Sequence, residues 1–290
     1  MPAKLTIEAH AKINLGLDVL RKREDGYHDV KMIMQSIGLC DELTFEEADD
    51  NVTKLVIQQG NVELSAGEDN LILRAFREFQ KEYGPLKGYK ITLIKSIPIA
   101  AGMAGGSTDC AATLVALNEL TGKPFTLEKL KEIGVKIGAD VPYCIMGGTA
   151  LSEGIGEILK PLPAPPFAHV LIAKPPISVS TAFVYGTLNL NGVEHPDIDG
   201  MVTALENNDL KGITDRFGNV LESVTANKYP EINKIKKICD SSGALGSLMS
   251  GSGPTVFALF DEKYKAEEAK KKIAEESLSK EIFITEFYNG

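Results

Sequence analysis

Apolar residues alternate with polar ones in some segments of the first half and recur at helical spacing in others. Extended segments are predicted at residues 5–8, 13–20, 32–39, 42–46 and 89–94. A polar turn at Asp25-Gly26 follows the second of them. Helices are predicted at residues 70–83, from about 108 to 120, and at 127–137. The middle helix stops at Gly122, with Pro124 beyond it, which is typical of a helix end.

Four prolines, at positions 161, 163, 165 and 166, interrupt the pattern and predict a domain boundary near residue 163. We therefore divide the chain into residues 1–160 and 161–290. The second part is predicted to hold strands at 169–173, 255–260 and 282–287, helices near Met201 and Tyr229, and a last helix at 263–276. Strands and helices mix without a strict βαβ rhythm, so the pattern favours an α+β fold over a doubly wound sheet.

Composition narrows the function classes. The 290 residues are 43% apolar and 24% charged, as in an ordinary globular protein, and the net charge is -9. This charge argues against general binding to nucleic acid or an anionic membrane, which requires a basic face. None of the four cysteines falls in a C-x-x-C spacing, which argues against a zinc site. The sequence shows no signal-peptide core and no membrane-length apolar run, which predicts a cytoplasmic protein with reduced thiols.

The glycine-rich segment 97–108, IPIAAGMAGGST, leaves a predicted strand and enters a predicted helix. The first N–H groups of a helix lack internal partners, and glycines let backbone N–H groups approach an anion. The segment therefore suits phosphate, although a flexible connection is the alternative. It is neither a P-loop nor a dinucleotide fingerprint, because it lacks Gly-Lys-Ser/Thr and G-x-G. Ser107 is either the helix N-cap or a hydroxyl directed at phosphate or Mg²⁺.

Two charged side chains stand in unusual places. Lys12 and Asn14 lie inside an apolar strand and point to one face, so the lysine either meets an anion or extends along the surface to solvent. Asp140 stands just past a helix end and before Pro142, which predicts extended backbone at Val141. Asp140 is either a turn residue or a carboxylate that accepts a proton from an attacking hydroxyl.

Two further segments are candidates for ligand contact. Tyr27 and His28 follow the Asp25-Gly26 turn; they are either simply exposed or suited to stacking on a planar ring and binding its edge. Residues 246–254, GSLMSGSGP, form a second glycine loop before a strand, and this loop could close over a site.

Taken together in this order, the segments around Lys12, at 98–107 and at 246–254 resemble the three motifs of the GHMP kinases, which include galactokinase and the homoserine, mevalonate and phosphomevalonate kinases. The resemblance runs nearly end to end, and the DGYH and GADVP segments are its most specific part. Those segments are most similar to members that act on a cytidine-diphosphate substrate. The resemblance implies an N-terminal ATP-binding α/β domain, a C-terminal ferredoxin-like α/β domain, and an active site in the cleft between them. It also implies ATP and Mg²⁺ as cofactors, and a monomer or weak homodimer.

The resemblance also implies a role for each matching position. Lys12 and Asp140 correspond to the catalytic pair, with Asn14 nearby. Tyr27 and Tyr185 correspond to the aromatic residues on either side of the cytosine, with His28 at its edge and Thr181 beside them. The positions matching the adenosine pocket and phosphate loop are Asn70, Lys95, Pro98, Gly102, Met103, Ala104, Gly105, Gly106, Ser107 and Thr108. The metal ligands are not implied, because Ser107 has no evident acidic partner. His10 stands where the family usually has proline.

Overall fold

The protein is described by a computed structural model that covers residues 4–58 and 66–290. Two compact units divide these residues, and each is built from several stretches of chain. Unit 1 contains residues up to 11, 39–99 and 104–146, and unit 2 contains 12–38, 100–103 and 147–290. The predicted domains, in contrast, are continuous segments meeting at residue 160, and that boundary stays a prediction.

Unit 1 is a mixed sheet, with both antiparallel and parallel strand pairs, and is covered by helices. Its elements are the first part of β1 (Lys4–Lys22), the last part of β2 (His28–Glu47), β3 (Lys54–Gln58), α1 (Leu71–Tyr83), β4 (Tyr89–Ile94), α2 (Gly105–Leu120), α3 (Leu127–Val135) and α4 (Val141–Met146). β2 pairs antiparallel with β4, and β3 pairs parallel with β4. Alternate residues of the two central strands point into the core, where Phe45 and Ile91 meet Phe79 of α1 and Leu114 of α2.

Unit 2 holds the rest of β1 and β2 and every later element. These are β5 (Thr149–Gly154), β6 (Ile158–Pro161), β7 (His169–Lys174), α5 (Thr181–Thr187), α6 (Ile198–Glu206), α7 (Leu210–Thr214), β8 (Gly218–Asn219), α8 (Glu222–Lys228), α9 (Glu231–Ser241), β9 (Gly246–Met249), β10 (Val256–Phe260), α10 (Lys263–Glu275) and β11 (Glu281–Glu286). β5 pairs antiparallel with β2 and β6, and β8 pairs parallel with β1 at Gly16 and Leu17.

The second sheet of unit 2 is four-stranded and entirely antiparallel, in the order β11-β7-β10-β9. Every residue of β10 is buried, since this strand lies between two others and under the helices. α9 and α10 pack on the sheet through apolar stripes that include Ile235 and Ile273. The chain order β7, α9, β9, β10, α10, β11 is the ferredoxin-like arrangement. The predicted α+β class is therefore confirmed.

Several element ends differ from the predictions. The segments 5–8 and 13–20 are one strand, β1, and 32–39 with 42–46 are one strand, β2, because ladder pairing with neighbours carries the strand through the intervening polar residues. α2 begins at Gly105 rather than near 108, and α3 ends at Val135 rather than 137. Residues 246–249, predicted as loop, form β9 because they pair with β10. Within the described ranges, no helix combines the length and apolar character needed to cross a membrane.

Candidate active site

The glycine loop leads into the N-terminus of α2 without a side-chain cap. Ala104 is the N-cap residue, with φ 57° and ψ 25°, and its methyl group cannot accept a hydrogen bond. The first N–H groups of α2 are therefore directed out of the helix, where the helix dipole also favours an anion. Ser107 lies inside the first turn of α2, so the N-cap interpretation of Ser107 is wrong. This part of unit 1 has the chemistry of a phosphate cradle.

Two glycines at the start of α2 allow close packing. A Cβ on Gly105 would lie 3.0 Å from Lys95 Nζ, and one on Gly106 would lie 3.2 Å from Leu71 Cδ1. Leu71 follows Asn70, whose side chain caps α1 by accepting a 2.9 Å hydrogen bond from Ile72 N. The structure thus brings the predicted residues Asn70 and Lys95 to the elements that flank the loop. Their contact with adenosine stays a prediction.

A buried ion cluster holds the lysine of this region. Lys95 Nζ donates to Asp41 and, at 2.9 Å, to Asp109 Oδ2. Asp41 Oδ1 also accepts from the backbone N–H groups of Ser96, at 2.6 Å, and Ile97, at 2.8 Å, directly before the glycine loop. Burial, only partly offset by Lys95, raises the pKa of Asp109 to about 7. One cation therefore serves two buried carboxylates beside the loop.

Asp41 and Asp109 were not predicted as site residues, although both carried a signal. Asp109 directly follows the predicted phosphate loop at the start of a predicted helix, and Asp41 stands between two predicted extended segments. A buried carboxylate requires a partner, and Lys95 is the buried lysine within reach. At the other end of the loop, Thr108 has a structural contact: its Oγ1 donates to His10 O at 2.8 Å and so ties α2 to β1.

Asp140 directly precedes the short helix α4. Its carbonyl accepts from Cys144 N at 3.0 Å, and Pro142 lies in the first helical turn. The prediction of extended backbone before Pro142 is wrong: Val141 and Pro142 lie in the first turn of α4, where the N–H group that proline lacks would have no acceptor within the helix. A Cβ on Gly138 would lie 4.0 Å from Ser107 Oγ, so the segment that carries Asp140 runs beside the first turn of α2. Asp140 is partly exposed and can receive a substrate group.

In unit 2, Lys12 and Asn14 form a buried polar pair. Lys12 Nζ donates to Asn14 Oδ1 at 2.6 Å, and Asn14 Nδ2 lies 3.3 Å from Met32 Sδ. Lys12 is only 5% exposed, which contradicts the alternative of a lysine that extends to solvent. Lys12 N also donates to Met103 O at 3.2 Å. β1 therefore presents an ammonium group, positioned by an amide, next to the part of the glycine loop that belongs to unit 2.

The second glycine loop packs directly on Gly102. Ser250 Oγ donates to Gly102 O at 3.0 Å. Gly102 has φ +72°, and a Cβ there would lie 2.2 Å from Ser250 O, so glycine is required on both counts. Asn219, which the sequence analysis did not assign, donates 2.8 Å hydrogen bonds to Met249 O and Gly251 O. The turn after β9 is thus fixed from both sides.

The aromatic candidates also lie in unit 2. The rings of His28 and Tyr185 have centroids 5.1 Å apart and are tilted by 46°. Thr181, one helical turn before Tyr185 on α5, shares a 2.8 Å hydrogen bond with Ser252. Tyr27 is 59% exposed at the turn before β2. Burial, and next the charge of Lys22, lowers the pKa of His28, so its imidazole is neutral at pH 7 and offers one donor and one acceptor.

Comparison with known proteins gives consistent matches along the chain. The family model "GHMP kinases N terminal domain" matches residues 70–148, and "GHMP kinases C terminal" matches residues 192–279. The 4-diphosphocytidyl-2-C-methyl-D-erythritol kinase of Lachnoclostridium phytofermentans is 50% identical over 287 residues, 99% of this chain and 98% of that protein. The protein of the same name from Clostridium perfringens (strain 13 / Type A) is 45% identical over 289 residues, 99% of each chain.

Two solved structures superpose on nearly the whole chain. A crystal structure of 4-(cytidine 5'-diphospho)-2C-methyl-D-erythritol kinase superposes with a TM-score of 0.82 at 30% identity, covering 99% of this chain and all of the other. The homoserine kinase of Cytophaga hutchinsonii superposes with a TM-score of 0.80 at 21% identity, over 98% of this chain and 95% of the other, which shows a shared fold.

Proposed function

The chain belongs to the GHMP kinase family, and we propose that it transfers the γ-phosphoryl group of ATP to the 2-hydroxyl of 4-diphosphocytidyl-2-C-methyl-D-erythritol. Relatives 44–50% identical over nearly the full length bear this enzyme's name. The observation that carries the choice of substrate is the His28–Tyr185 pair, with its neutral imidazole and exposed Tyr27 nearby in sequence. A cytosine ring has a face for aromatic stacking and an edge for hydrogen bonds, whereas homoserine and mevalonate have neither.

ATP would be bound by the glycine loop and the uncapped N-terminus of α2. Phosphoryl transfer depends mainly on alignment and charge neutralisation, and the outward N–H groups of α2 supply both for phosphate oxygens. The Ser107 hydroxyl, in the first turn of α2, is an oxygen donor of the kind that Mg²⁺ prefers. When bound there with the phosphates, Mg²⁺ would neutralise phosphate charge.

Asp140 and Lys12 are the proposed catalytic residues. The substrate oxygen forms a bond to the γ-phosphorus while the bond from that phosphorus to the bridging oxygen of ADP breaks. The Asp140 carboxylate orients the attacking hydroxyl and accepts its proton. Lys12, held by Asn14 at 2.6 Å, supplies positive charge for the transferring group. The buried setting of Lys12 supports this role, because a buried ammonium group requires an anionic partner.

The proposed cytosine site places the base between Tyr27 and Tyr185, with His28 at its edge. Thr181 and Tyr185 share one face of α5, since they are four residues apart. The hydrogen bond between the hydroxyl groups of Thr181 and Ser252 ties that face to the second glycine loop. A neutral His28 can donate to or accept from the edge of the base without a charge penalty.

Asp140→Asn tests the catalytic assignment. Loss of one positioned base is expected to lower kcat by roughly 10²–10⁴-fold, because the amide cannot accept the proton. ADP release with the cytidine substrate is measured for the wild type, for Asp140→Asn, and for the exposed control Asp261→Asn. Circular dichroism verifies that each variant is folded. Wild-type turnover by Asp140→Asn would refute the role, while absence of ADP release by the wild type would instead favour a ligand sensor that binds without turnover.

Tyr27→Ala separates the proposed substrate from those of other family members. Removal of the exposed ring is expected to raise KM for the cytidine substrate by about 5- to 150-fold, the equivalent of the 1–3 kcal/mol that stacking of one base contributes. KM for ATP is expected to stay unchanged. Tyr264→Ala is the matched control, since Tyr264 is similarly exposed at 65% on α10. An unchanged KM for the cytidine substrate, or better turnover of homoserine or mevalonate by the wild type, would contradict the proposal.

The oligomeric state and cellular location complete the proposal. We expect a monomer or weak homodimer in the cytoplasm that has no nucleic-acid partner, in keeping with the net charge of -9. Light scattering coupled to size-exclusion chromatography, across a range of protein concentrations, measures the first of these directly.

A further inference from the structure

Three side chains with metal-binding atoms converge on the first two strands of unit 1. Glu8 and His10 lie two residues apart on β1, so they point to the same face of that strand. Cys40 lies on β2, the strand next to β1 in the sheet. The ligand atoms of the three residues all lie within 4.8 Å of one another. A carboxylate, an imidazole and a thiol thus meet at one point on the surface.

We infer that Glu8, His10 and Cys40 form a zinc-binding site. Zinc takes nitrogen, sulfur and carboxylate oxygen ligands together, in tetrahedral geometry, and the thiol together with the imidazole favours it over Mg²⁺ and Ca²⁺. Ligand atoms at about 2.0–2.1 Å from a tetrahedral ion stand about 3.3–3.4 Å apart. His10 Nε2 and Glu8 Oε2 are 3.3 Å apart, so the two atoms that pair directly here could also bind one ion with little movement.

The electrostatic surroundings of Cys40 favour a cation. The carboxylates of Glu8, Asp41 and Glu42 lie close enough to Cys40 to act on it electrostatically. A divalent ion would offset this accumulation of negative charge. Asp41 is not available as a fourth ligand, because Lys95 and the N–H groups before the glycine loop already occupy its oxygens.

The exposure of the three side chains allows entry of the ion from solvent. The Glu8 side chain is 62% exposed and the His10 side chain 13%, so the ion would approach from the Glu8 side and keep a water as its fourth ligand. The bound ion would join β1 to β2. His10 also accepts the hydrogen bond from Thr108 Oγ1 through its carbonyl, so the zinc ligand and the first turn of α2 share one residue.

Zinc binding is tested on tag-free protein by titration with Zn²⁺ in competition with a chromophoric chelator. The wild type is expected to bind one ion per chain. Cys40→Ser, His10→Gln and Glu8→Gln should each raise Kd by more than about tenfold, since each removes a direct ligand. The matched controls are Cys144→Ser, at the other partly exposed cysteine, and His169→Gln. Both should keep the wild-type Kd.

Cobalt supplies a second readout that is specific for sulfur. With Co²⁺ in place of Zn²⁺, a thiolate-to-metal charge-transfer band in the near ultraviolet is expected in the wild type and in Cys144→Ser, and it should be absent in Cys40→Ser. Glu8→Gln keeps the test decisive if a less exposed variant fails to fold. Equal Kd values for the wild type and Glu8→Gln, or a cobalt band that disappears in Cys144→Ser, would overturn the assignment. Neither readout involves phosphoryl transfer, so both are independent of the proposed function.

Discussion

The buried cluster of Lys95, Asp41 and Asp109 makes a quantitative prediction for the pH dependence of stability. One ammonium group faces two carboxylates there, and Asp109 is the carboxylate whose pKa is raised, to about 7, chiefly by burial. Asp109→Asn replaces the ionisable group with an amide of the same shape, whose oxygen can still accept from Lys95. Above about pH 7, where Asp109 is ionised, the substitution leaves a neutral pair of Lys95 and Asp41 in place of a cluster with net charge -1.

The direction follows from proton binding. At low pH the carboxyl group is protonated in both the folded and the unfolded chain; between about pH 4 and 7 the folded chain keeps a proton that the unfolded chain has released. The corresponding stabilisation is fully present below pH 4 and is lost as the pH rises through about 7. The difference between 3.8 and about 7 is worth about 4 kcal/mol at 1.36 kcal/mol per pH unit. We treat this value as an upper limit.

The assay is urea unfolding at a series of pH values from about 4.5 to 7.5. The chain has no tryptophan and eight tyrosines, so far-ultraviolet circular dichroism and tyrosine fluorescence are the probes, and their coincidence tests for two-state unfolding. Relative to wild type, Asp109→Asn should gain up to about 4 kcal/mol across this range. The contributions of the other titrating groups to the unfolding free energy cancel when the wild-type value is subtracted from that of the variant.

Asp261→Asn is the control for this experiment, because its exposed carboxylate has a pKa lowered by Lys265 and should produce no such gain. Parallel stability profiles for wild type and Asp109→Asn would show that the carboxyl group ionises normally, and would refute the reasoning.

Two further predictions follow from packing and burial. Gly102→Ala should lower the free energy of unfolding by more than the roughly 1–2 kcal/mol of left-handed backbone strain and should raise KM for ATP, because a Cβ there meets Ser250 O at 2.2 Å. The control Gly122→Ala has a similar positive φ but open space around its Cβ, so it should show the strain alone. Equal losses of unfolding free energy for the two variants in denaturant would refute the contact. Burial raises the pKa of Cys110 and of Cys239 to about 12. An aromatic disulfide reagent at pH 8 should therefore react with no more than two of the four thiols until the chain is unfolded. Rapid reaction of three thiols in the folded protein would contradict the burial of these two cysteines.

Local patterns were sufficient for most elements and for the chemistry of the loop. The alternation in Tyr89–Ile94 predicted β4, and the spacing in 70–83 predicted α1 with Asn70 at its start, because these signals depend on neighbouring residues alone. The same holds for the glycine loop before a helix, whose anion chemistry needs only a strand, glycines and a helix N-terminus. The candidate residues at these positions could be named from the sequence because they stand close together along the chain, and their roles stay predictions.

Patterns failed where the position within an element, or a contact with distant residues, decided the outcome. Pro142 predicted extended backbone, but it lies in the first turn of α4, where the N–H group that proline lacks would have no acceptor within the helix. Residues 246–249 have loop-like composition, but pairing with β10 makes them a strand. The interruptions that the sequence predicted within β1 and β2 are absent for the same reason, since hydrogen bonds to neighbouring strands outweigh the local polar residues.

The α+β class, the family, the candidate phosphate loop and the aromatic candidates could be predicted from the amino-acid sequence, because each prediction depends on short segments of the chain. The partners of the buried side chains became evident only in the folded structure. It joined Lys95 to Asp41 and Asp109, placed Ser250 on Gly102, and brought Cys40 to Glu8 and His10 although no C-x-x-C spacing exists. The physical reason is that desolvation and metal-ligand geometry act between side chains that are close in space, and residues on adjacent strands become neighbours without any regular separation in sequence.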